Sequence, residues 1–317
     1  MIDLLKRGKR LSAYIGRAPT GALHIGHLIA LGKMIDFQRA DIDTKILIAD
    51  IHAALDDLKA PWEELDKRSE YTQKCIELCL PWSKKPEFIR GSSYQLNKDY
   101  VLDILKIASQ TTVERAMRAA SEVTRMKNPK VSETIYPIMQ ALDEQYLNVD
   151  IQLGGTDQRH ILVYAREYLP ILGYKKRVEI MTPLVASLNG PGTKMSSSIP
   201  ESNIKVYDEE ETIIRKIKNA YCPAGVVDQN MILQITKYLI FPNIDKFKIE
   251  REAKFGGDIE FETYEELENE LVSYKLHLDD LKNAVSDFLI KMLKNVREYF
   301  RDKKDFLASL GKEFLPN

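Results

Sequence analysis

Cysteine is scarce: 317 residues hold three, Cys75, Cys79 and Cys222. An odd number in a chain this long argues against a disulfide framework. Cys75 and Cys79 lie four apart on an expected helix, a spacing two metal ligands could use. No second Cys or His pair sits nearby, so buried or partly buried thiols are expected, with no metal site. Long apolar runs are also missing. None approaches the ~18 residues of a membrane helix. The basic start Lys6-Arg7-Gly8-Lys9-Arg10 is followed by too short an uncharged stretch before Arg17 to form a signal-peptide core. The expectation is a cytoplasmic protein with no membrane partner. Charge of one sign is absent too: 46 basic residues face 47 acidic ones, for a net charge of -1. With no overall field to draw in DNA or RNA, any nucleic acid must be held by local patches. The 15 glycines and 13 prolines are too few for a fibrous or low-complexity chain, and no internal repeat appears.

What is present, 44% apolar and 29% charged residues, is the composition of a globular protein of roughly two domains. Short apolar segments bounded by Gly, Asp, Ser or Pro read as strands at residues 11–16, 45–50, 87–90 and 149–153. Helical spacing alternates with them: Ile25, Leu28, Ile29, Met34, Ile35 and Phe37 form one stripe, and others run through 62–80, 99–124 and 157–168. This βαβα order predicts an α/β fold with a doubly wound parallel sheet, Rossmann-like, in which ligands bind beyond the carboxyl ends of the strands. Past about residue 205 the strand signal fades. A long helix is expected from Asp279-Asp280 through Leu281, Val285, Phe288, Leu289, Met292, Val296 and Tyr299, and Phe255-Gly256-Gly257-Asp258 reads as a turn. The expected division is a catalytic domain over 1–205, with an inserted helical segment near 97–134, and an α-helical domain over 206–317.

Two motifs carry chemistry. Pro19-Thr-Gly-Ala-Leu-His24-Ile-Gly26-His27 sits where the first strand meets its helix, and there backbone N–H groups and the positive helix end make an anion site. Two imidazoles on one helix face can hydrogen-bond a phosphate, and Gly26 between them admits a nucleotide close to the backbone. An isolated pair of this kind could equally be capping or surface histidines. The second motif, Asn189-Gly-Pro-Gly-Thr-Lys194-Met195-Ser196-Ser197-Ser198, is a glycine-rich stretch delivering one lysine and three hydroxyls. Alone it would read as a linker; the two together are far more specific.

On these residues the chain resembles the class I aminoacyl-tRNA synthetases, whose HIGH and KMSKS signatures the two motifs match. Over about residues 11–300 it resembles the tyrosyl-tRNA synthetases of archaeal and eukaryotic type. The likeness includes Leu47-Ile-Ala-Asp-Ile-His52, Tyr136-Pro-Ile-Met-Gln140 with Asp143, Gly154-Gly-Thr-Asp-Gln158, Ala220-Tyr-Cys-Pro-Ala-Gly225 and Asp280-Leu-Lys-Asn283. It implies a ligase that makes tyrosyl-adenylate from L-tyrosine and ATP, with Mg²⁺ accompanying the nucleotide, and then charges tRNA. A homodimer is implied as well.

By the same resemblance, Tyr14 and Asp143 contact the phenolic hydroxyl, while Tyr136, Gln140 and Gln158 hold the ammonium. Such a set is chemically coherent, because a carboxylate built to accept from a phenol is left unpaired when phenylalanine enters. Each residue alone could be a core aromatic or a surface polar group; the four-and-three spacing of Tyr136, Gln140 and Asp143 puts them on one helix face. For ATP, the resemblance assigns His24, His27, Lys194 and Ser197 to the phosphates, with Gly26 at the close approach and Gly155 and Asp157 near the ribose. Ala18 stands where many members of the family carry an acid, which shifts the ribose contact to Asp157. The loop keeps only the first signature lysine, so Lys194 neutralises pyrophosphate largely alone. For tRNA, the resemblance places Phe255 and Asp280 at the first anticodon base and Arg118 and Arg159 toward the acceptor end. A helix cap is an equally good account of Asp280. The rival readings are a tryptophanyl-tRNA synthetase, a small-metabolite adenylyltransferase and a catalytically inactive RNA-binding paralogue. Tyr14 with Asp143 disfavours the first. The helical tail and the Lys-Met-Ser loop disfavour the second, and intact His24, His27 and Lys194 the third.

Overall fold

The computed structural model describes residues 8, 10–123, 128–196 and 199–317. The chain divides into two compact units, one of residues 1–21, 33–74 and 82–184, the other of 22–32, 75–81 and 185–317.

In the first unit five strands, β1 (Ser12–Arg17), β2 (Asp43–Ile48), β3 (Glu87–Arg90), β4 (Ile151–Gly155) and β5 (Val178–Thr182), form one sheet in the order β3-β2-β1-β4-β5. Every pairing is parallel. Ala13, Tyr14 and Ile15 are buried in succession on β1, the mark of a strand covered on both faces. The order reverses between β1 and β4, which makes the carboxyl ends of those two strands the switch point where such sheets bind ligands. The four expected strands are present with ends displaced by at most two residues. The fifth, β5, escaped detection because it is an edge strand whose Glu179, Ile180 and Met181 all keep partial exposure, so no apolar run marks it.

Helix α1 (Ile25–Arg39) follows β1 and α2 (Asp50–Leu55) follows β2. The stripe over 62–80 becomes a 3₁₀ turn at Trp62–Glu64 and helix α3 (Leu65–Cys79). The expected helical stretch over 99–124 is two helices, α4 (Lys98–Ala108) and α5 (Val113–Ala120). They separate because the Thr112 hydroxyl caps α5, accepting from the Arg115 N–H at 3.2 Å and starting a new helix there. Next come α6 (Val131–Tyr146), whose side chains reach the switch point, and, after β4, α7 (Arg159–Tyr168).

From residue 185 onward the second unit holds the antiparallel pair β6 (Ala186–Ser187) and β7 (Gly190–Lys194), followed by α8 (Glu210–Asn219) and α9 (Met231–Ile235). A hairpin, β8 (Phe247–Ile249) with β9 (Ile259–Phe261), lies in a stretch that the sequence presents as mostly helix, around the expected turn at 255–258. Strands of three residues are too short to show an alternating pattern. Their connection contains Gly256 and Gly257 at φ 98° and 74°, a left-handed backbone that a β-carbon would oppose. Helices α10 (Tyr264–Val272), α11 (Leu278–Met292), α12 (Lys294–Arg301) and α13 (Lys304–Leu310) complete the unit. The single long helix expected from Asp279 to Tyr299 is thus broken at Leu293, although Leu281, Val285, Leu289 and Val296 are all buried as its stripe requires. All three cysteines are buried thiols.

Candidate active site

In the first unit the segments that follow β2 and β3 meet helix α6 at Asp143. Helix α6 presents Tyr136, Gln140 and Asp143 from one face, as their spacing predicts. Asp143 Oδ1 accepts three hydrogen bonds, from the Tyr94 hydroxyl at 2.7 Å, the Gln95 amide at 2.8 Å and the Tyr100 hydroxyl at 2.8 Å. Its other oxygen, Oδ2, has no hydrogen-bond partner among the described residues, nor has Nε2 of His52, 3.8 Å away. Burial pushes the Asp143 carboxyl up to about 7 despite its three donors. Burial likewise pulls His52 down to about 4, which keeps the imidazole neutral. A buried acceptor without a donor is an unmet requirement that a ligand hydroxyl can satisfy.

Tyr14, on β1 beside Lys45 and Gln152, is 1% exposed and its hydroxyl reaches the Gln140 carbonyl at 3.5 Å. The Gln140 side-chain amide donates to Gln158 Oε1 at 3.0 Å, and the Tyr136 ring meets His52 edge-on at 4.7 Å. Tyr14, Tyr136, Gln140, Asp143 and Gln158 therefore occupy one neighbourhood. At the end of β1 burial lowers the Arg17 guanidinium to about 10, while Tyr71, Tyr136 and Asp157 act the other way. Gly155 ends β4, and a β-carbon there would run into the Asp157 carboxylate. Ala18 packs as a small apolar group beside Tyr14 and Leu47.

Sequence reasoning missed Tyr94, Gln95 and Tyr100. A signal existed in Gly91-Ser-Ser-Tyr94-Gln95, which follows β3 directly and so stands at the ligand-binding edge. Asp50 ties that segment to β2: its Oδ1 accepts from the Ile51 and Ser92 N–H groups at 3.0 and 2.9 Å. A β-carbon on Gly91 would come within 2.9 Å of that oxygen, so the approach requires glycine.

The second unit holds the Lys194 motif and residues 22–27 of the histidine motif. His24 forms an isolated antiparallel bridge with Lys205, and His27 lies in the first turn of α1. Their rings stack with centroids 3.6 Å apart, and His27 Nδ1 accepts from the His24 N–H at 3.2 Å. A β-carbon on Gly26 would lie 3.0 Å from Met195 Sδ and 3.1 Å from His24 Nδ1. The two motifs thus meet, Met195 covering Gly26 and Lys194 closing β7 opposite Ala186. Ser197 lies outside the described residues. Among the described residues no cluster of three or more His, Cys, Asp or Glu could hold a metal ion.

The residues expected to meet tRNA are divided between the units, Arg118 and Arg159 in the first and Phe255 and Asp280 in the second. Arg118 is exposed on α5, 3.4 Å from Glu114, and Arg159 is exposed at the start of α7. Phe255 ends a short 3₁₀ turn before Gly256. Asp280 is the third residue of α11 and does not cap it; the cap is His277, whose ring accepts from the Asp279 N–H at 3.3 Å. A cap must precede the first helical turn, so the helix-cap role equally open to Asp280 on sequence falls to His277.

The family described as tRNA synthetases class I (W and Y) matches residues 6–294. The chain is 46% identical to the tyrosine–tRNA ligase of Archaeoglobus fulgidus, covering 93% of this chain and 91% of that one. It is 40% identical to the cytoplasmic tyrosine–tRNA ligase of Gallus gallus, over 100% of this chain and 60% of that protein. The crystal structure of the Archaeoglobus fulgidus tyrosyl-tRNA synthetase complexed with L-tyrosine superposes with a TM-score of 0.89 at 44% identity, covering 94% of this chain and 92% of that chain. On its sheet, its two signature motifs and these matches, the chain belongs to the class I tRNA synthetases of the tryptophan and tyrosine group.

Proposed function

We propose that the protein is a tyrosine–tRNA ligase that takes L-tyrosine, ATP and the matching tRNA, and that Asp143 reads the phenol. The observation that carries the choice of tyrosine is the unsatisfied Oδ2 of Asp143, buried 3.8 Å from His52 Nε2 while Oδ1 is already held by three donors. A phenolic hydroxyl donating to Oδ2 completes that carboxylate; phenylalanine leaves it orphaned. Tyr136 and the Gln140–Gln158 pair are assigned to the ammonium, and Asp157 and Gly155 to the ribose.

In the first step a carboxylate oxygen of tyrosine attacks the α-phosphorus of ATP. A new P–O bond forms, the bond to the β-phosphate breaks, and pyrophosphate leaves. In the second step a ribose hydroxyl of the terminal adenosine attacks the tyrosyl carbonyl and AMP departs. No side-chain nucleophile takes part. Rate comes from alignment and from His24, His27, Lys194 and Ser197 countering charge on the phosphates, with the start of α1 as a further positive end. Mg²⁺ enters as the counter-ion of ATP, held by the phosphates.

Residues 206–317 are read as the anticodon-binding part, with Phe255 and Asp280 at the first anticodon base and Arg118 and Arg159 toward the acceptor end. Residues 1–205 carry the chemistry. A homodimer is supported by apolar surface on α4 and α5, where Leu105 and Val113 are 61% and 68% exposed. A cytoplasmic location follows the relatives so named, and among the described residues no helix is long and apolar enough to cross a membrane.

The test is amino-acid-dependent exchange of pyrophosphate into ATP with tyrosine, tryptophan and phenylalanine. Only tyrosine should support it; exchange driven best by tryptophan, or by no amino acid, would overturn the proposal. Asp280→Ala should weaken tRNA charging while exchange persists, and equal loss of both removes Asp280 from anticodon reading.

A further inference from the structure

Residues 295–317 lie beyond the stretch matched by the family, which ends at 294, and they fold back onto the second unit. Leu307, Leu310 and Phe314 are each 0% exposed. The chain end then bonds to one short segment, residues 205–212, through side chains of that segment. The Tyr207 hydroxyl donates to the Phe314 carbonyl and Lys205 Nζ to the Leu315 carbonyl. Asp208 accepts from the Asn317 backbone N–H at 2.8 Å and from its side-chain amide at 3.0 Å, and the Thr212 hydroxyl donates to the Asn317 carbonyl at 3.3 Å. The Tyr207 ring also packs against Phe300, centroids 5.3 Å apart.

The backbone of the same segment supports the histidine motif. Lys205 pairs with His24, the Ile25 N–H donates to the Ile204 carbonyl at 3.0 Å, and the Val206 N–H donates to the Leu23 carbonyl at 3.1 Å. Side chains of 205–208 thus hold the chain end while the backbone of 204–206 holds Leu23–Ile25. A two-bond backbone bridge at the rim of a phosphate site has little stiffness of its own. Buried side chains bonded behind it supply what it lacks.

We propose that the C-terminal segment is a latch that positions His24 and the start of α1 for the ATP phosphates, acting through Lys205, Tyr207 and Asp208. This rests on the reading of His24 as part of the ATP site. Lys205, Tyr207 and Phe314 are positioning residues: they tie the segment that pairs with His24 to the chain end and take no part in the chemistry.

The experiment uses the full chain and two variants, Tyr207→Phe, which removes one hydrogen bond and keeps the ring, and Phe314→Ala. Amide hydrogen exchange of peptides covering 22–28 and 203–208 reads the latch directly. Pyrophosphate exchange reads KM for ATP and for tyrosine separately. In both variants the two peptides should lose protection. KM for ATP should rise about two- to tenfold in Tyr207→Phe, the equilibrium worth of one ordinary hydrogen bond, and at least as much in Phe314→Ala, which removes a buried ring, while KM for tyrosine stays within about twofold. Unchanged protection overturns the latch. Lost protection with KM for ATP unchanged, or with both KM values raised alike, reduces the segment to a stabilising role and overturns the positioning claim. An unsubstituted protein without tyrosine-dependent exchange overturns the ATP reading itself, and the hydrogen-exchange result still decides whether the latch exists. Should Phe314→Ala fail to fold, Tyr207→Phe carries both readouts.

Discussion

Replacing Asp143 by alanine removes an acceptor shared by three donors, and the consequence is larger than loss of a substrate contact. Tyr100 retains the Met139 carbonyl, 2.8 Å from its hydroxyl, so the donors stranded are Tyr94 and Gln95. Each buried donor without a partner costs about 1–3 kcal/mol, and two cost about 2–6 kcal/mol against a total stability of about 5–15 kcal/mol. Asp143→Ala is therefore expected to melt many degrees lower or to misfold, and its inactivity would say nothing about phenol recognition. Asp143→Asn separates the two effects. Its remaining carbonyl oxygen has two lone pairs for Tyr94 and Gln95, while an amide donor replaces Oδ2 and cannot accept from a phenol. Charged hydrogen bonds are worth about 1.5–3 kcal/mol, so kcat/KM for tyrosine should fall about 10- to 150-fold while KM for ATP holds and the melting temperature drops only a few degrees. Thermal melts run beside pyrophosphate exchange test both halves. An alanine variant melting within about two degrees of the parent refutes the accounting of stranded donors, and an asparagine variant with full kcat/KM for tyrosine refutes the assignment of Oδ2.

Glu144 is 0% exposed with neither carboxyl oxygen hydrogen-bonded among the described residues, and burial followed by Glu179 pushes it from 4.5 up to about 8. A carboxyl whose native pKa lies above its unfolded value favours folding only while protonated. Its contribution is whole below about pH 4 and fades as the pH climbs to about 8. Glu144→Gln cannot ionise, so its melting temperature relative to the parent should rise between pH 5 and 8 and level off above; a difference flat with pH refutes this. Gly26→Ala adds a β-carbon 3.0 Å from Met195 Sδ and 3.1 Å from His24 Nδ1, roughly half an ångström inside ordinary contact. Helix propensity favours alanine by about 0.5–1 kcal/mol, so stability should hold while KM for ATP rises at least about tenfold, as small misplacements at reacting groups do; parallel losses of stability and activity would contradict it. Lys216 is buried with its Nζ bonded to the Pro200 and Asn203 carbonyls and to Asp208, at 2.8, 2.6 and 3.3 Å. Lys216→Met should cost about 3–5 kcal/mol in chemical denaturation, and a loss under about 1 kcal/mol would show the pair to be dispensable.

Four strands, the helix that carries Tyr136, Gln140 and Asp143, and both signature motifs were legible because each is written in consecutive or periodic residues. What escaped lacked a period. Strand β5 keeps exposure along an edge, β8 and β9 are three residues each, and the breaks at Thr112 and Leu293 fall inside stretches whose apolar stripe continues across them. The candidate site divides the same way. One helix face could be read from spacing, but Tyr94, Gln95 and Tyr100 come from a loop and a different helix, and nothing local announces that they share an oxygen with Asp143.

Sequence by itself determined the class of sheet, the place of the two motifs and the membership of the family, since these depend on hydrophobic period and on short runs of specific residue types. Only the tertiary structure decided which oxygen of Asp143 stays open, that His27 stacks on His24 under Met195, and that residues beyond 294 return to grip the segment behind His24. Those outcomes depend on burial and on distances between residues far apart in the chain, and such quantities exist only once the polypeptide has folded.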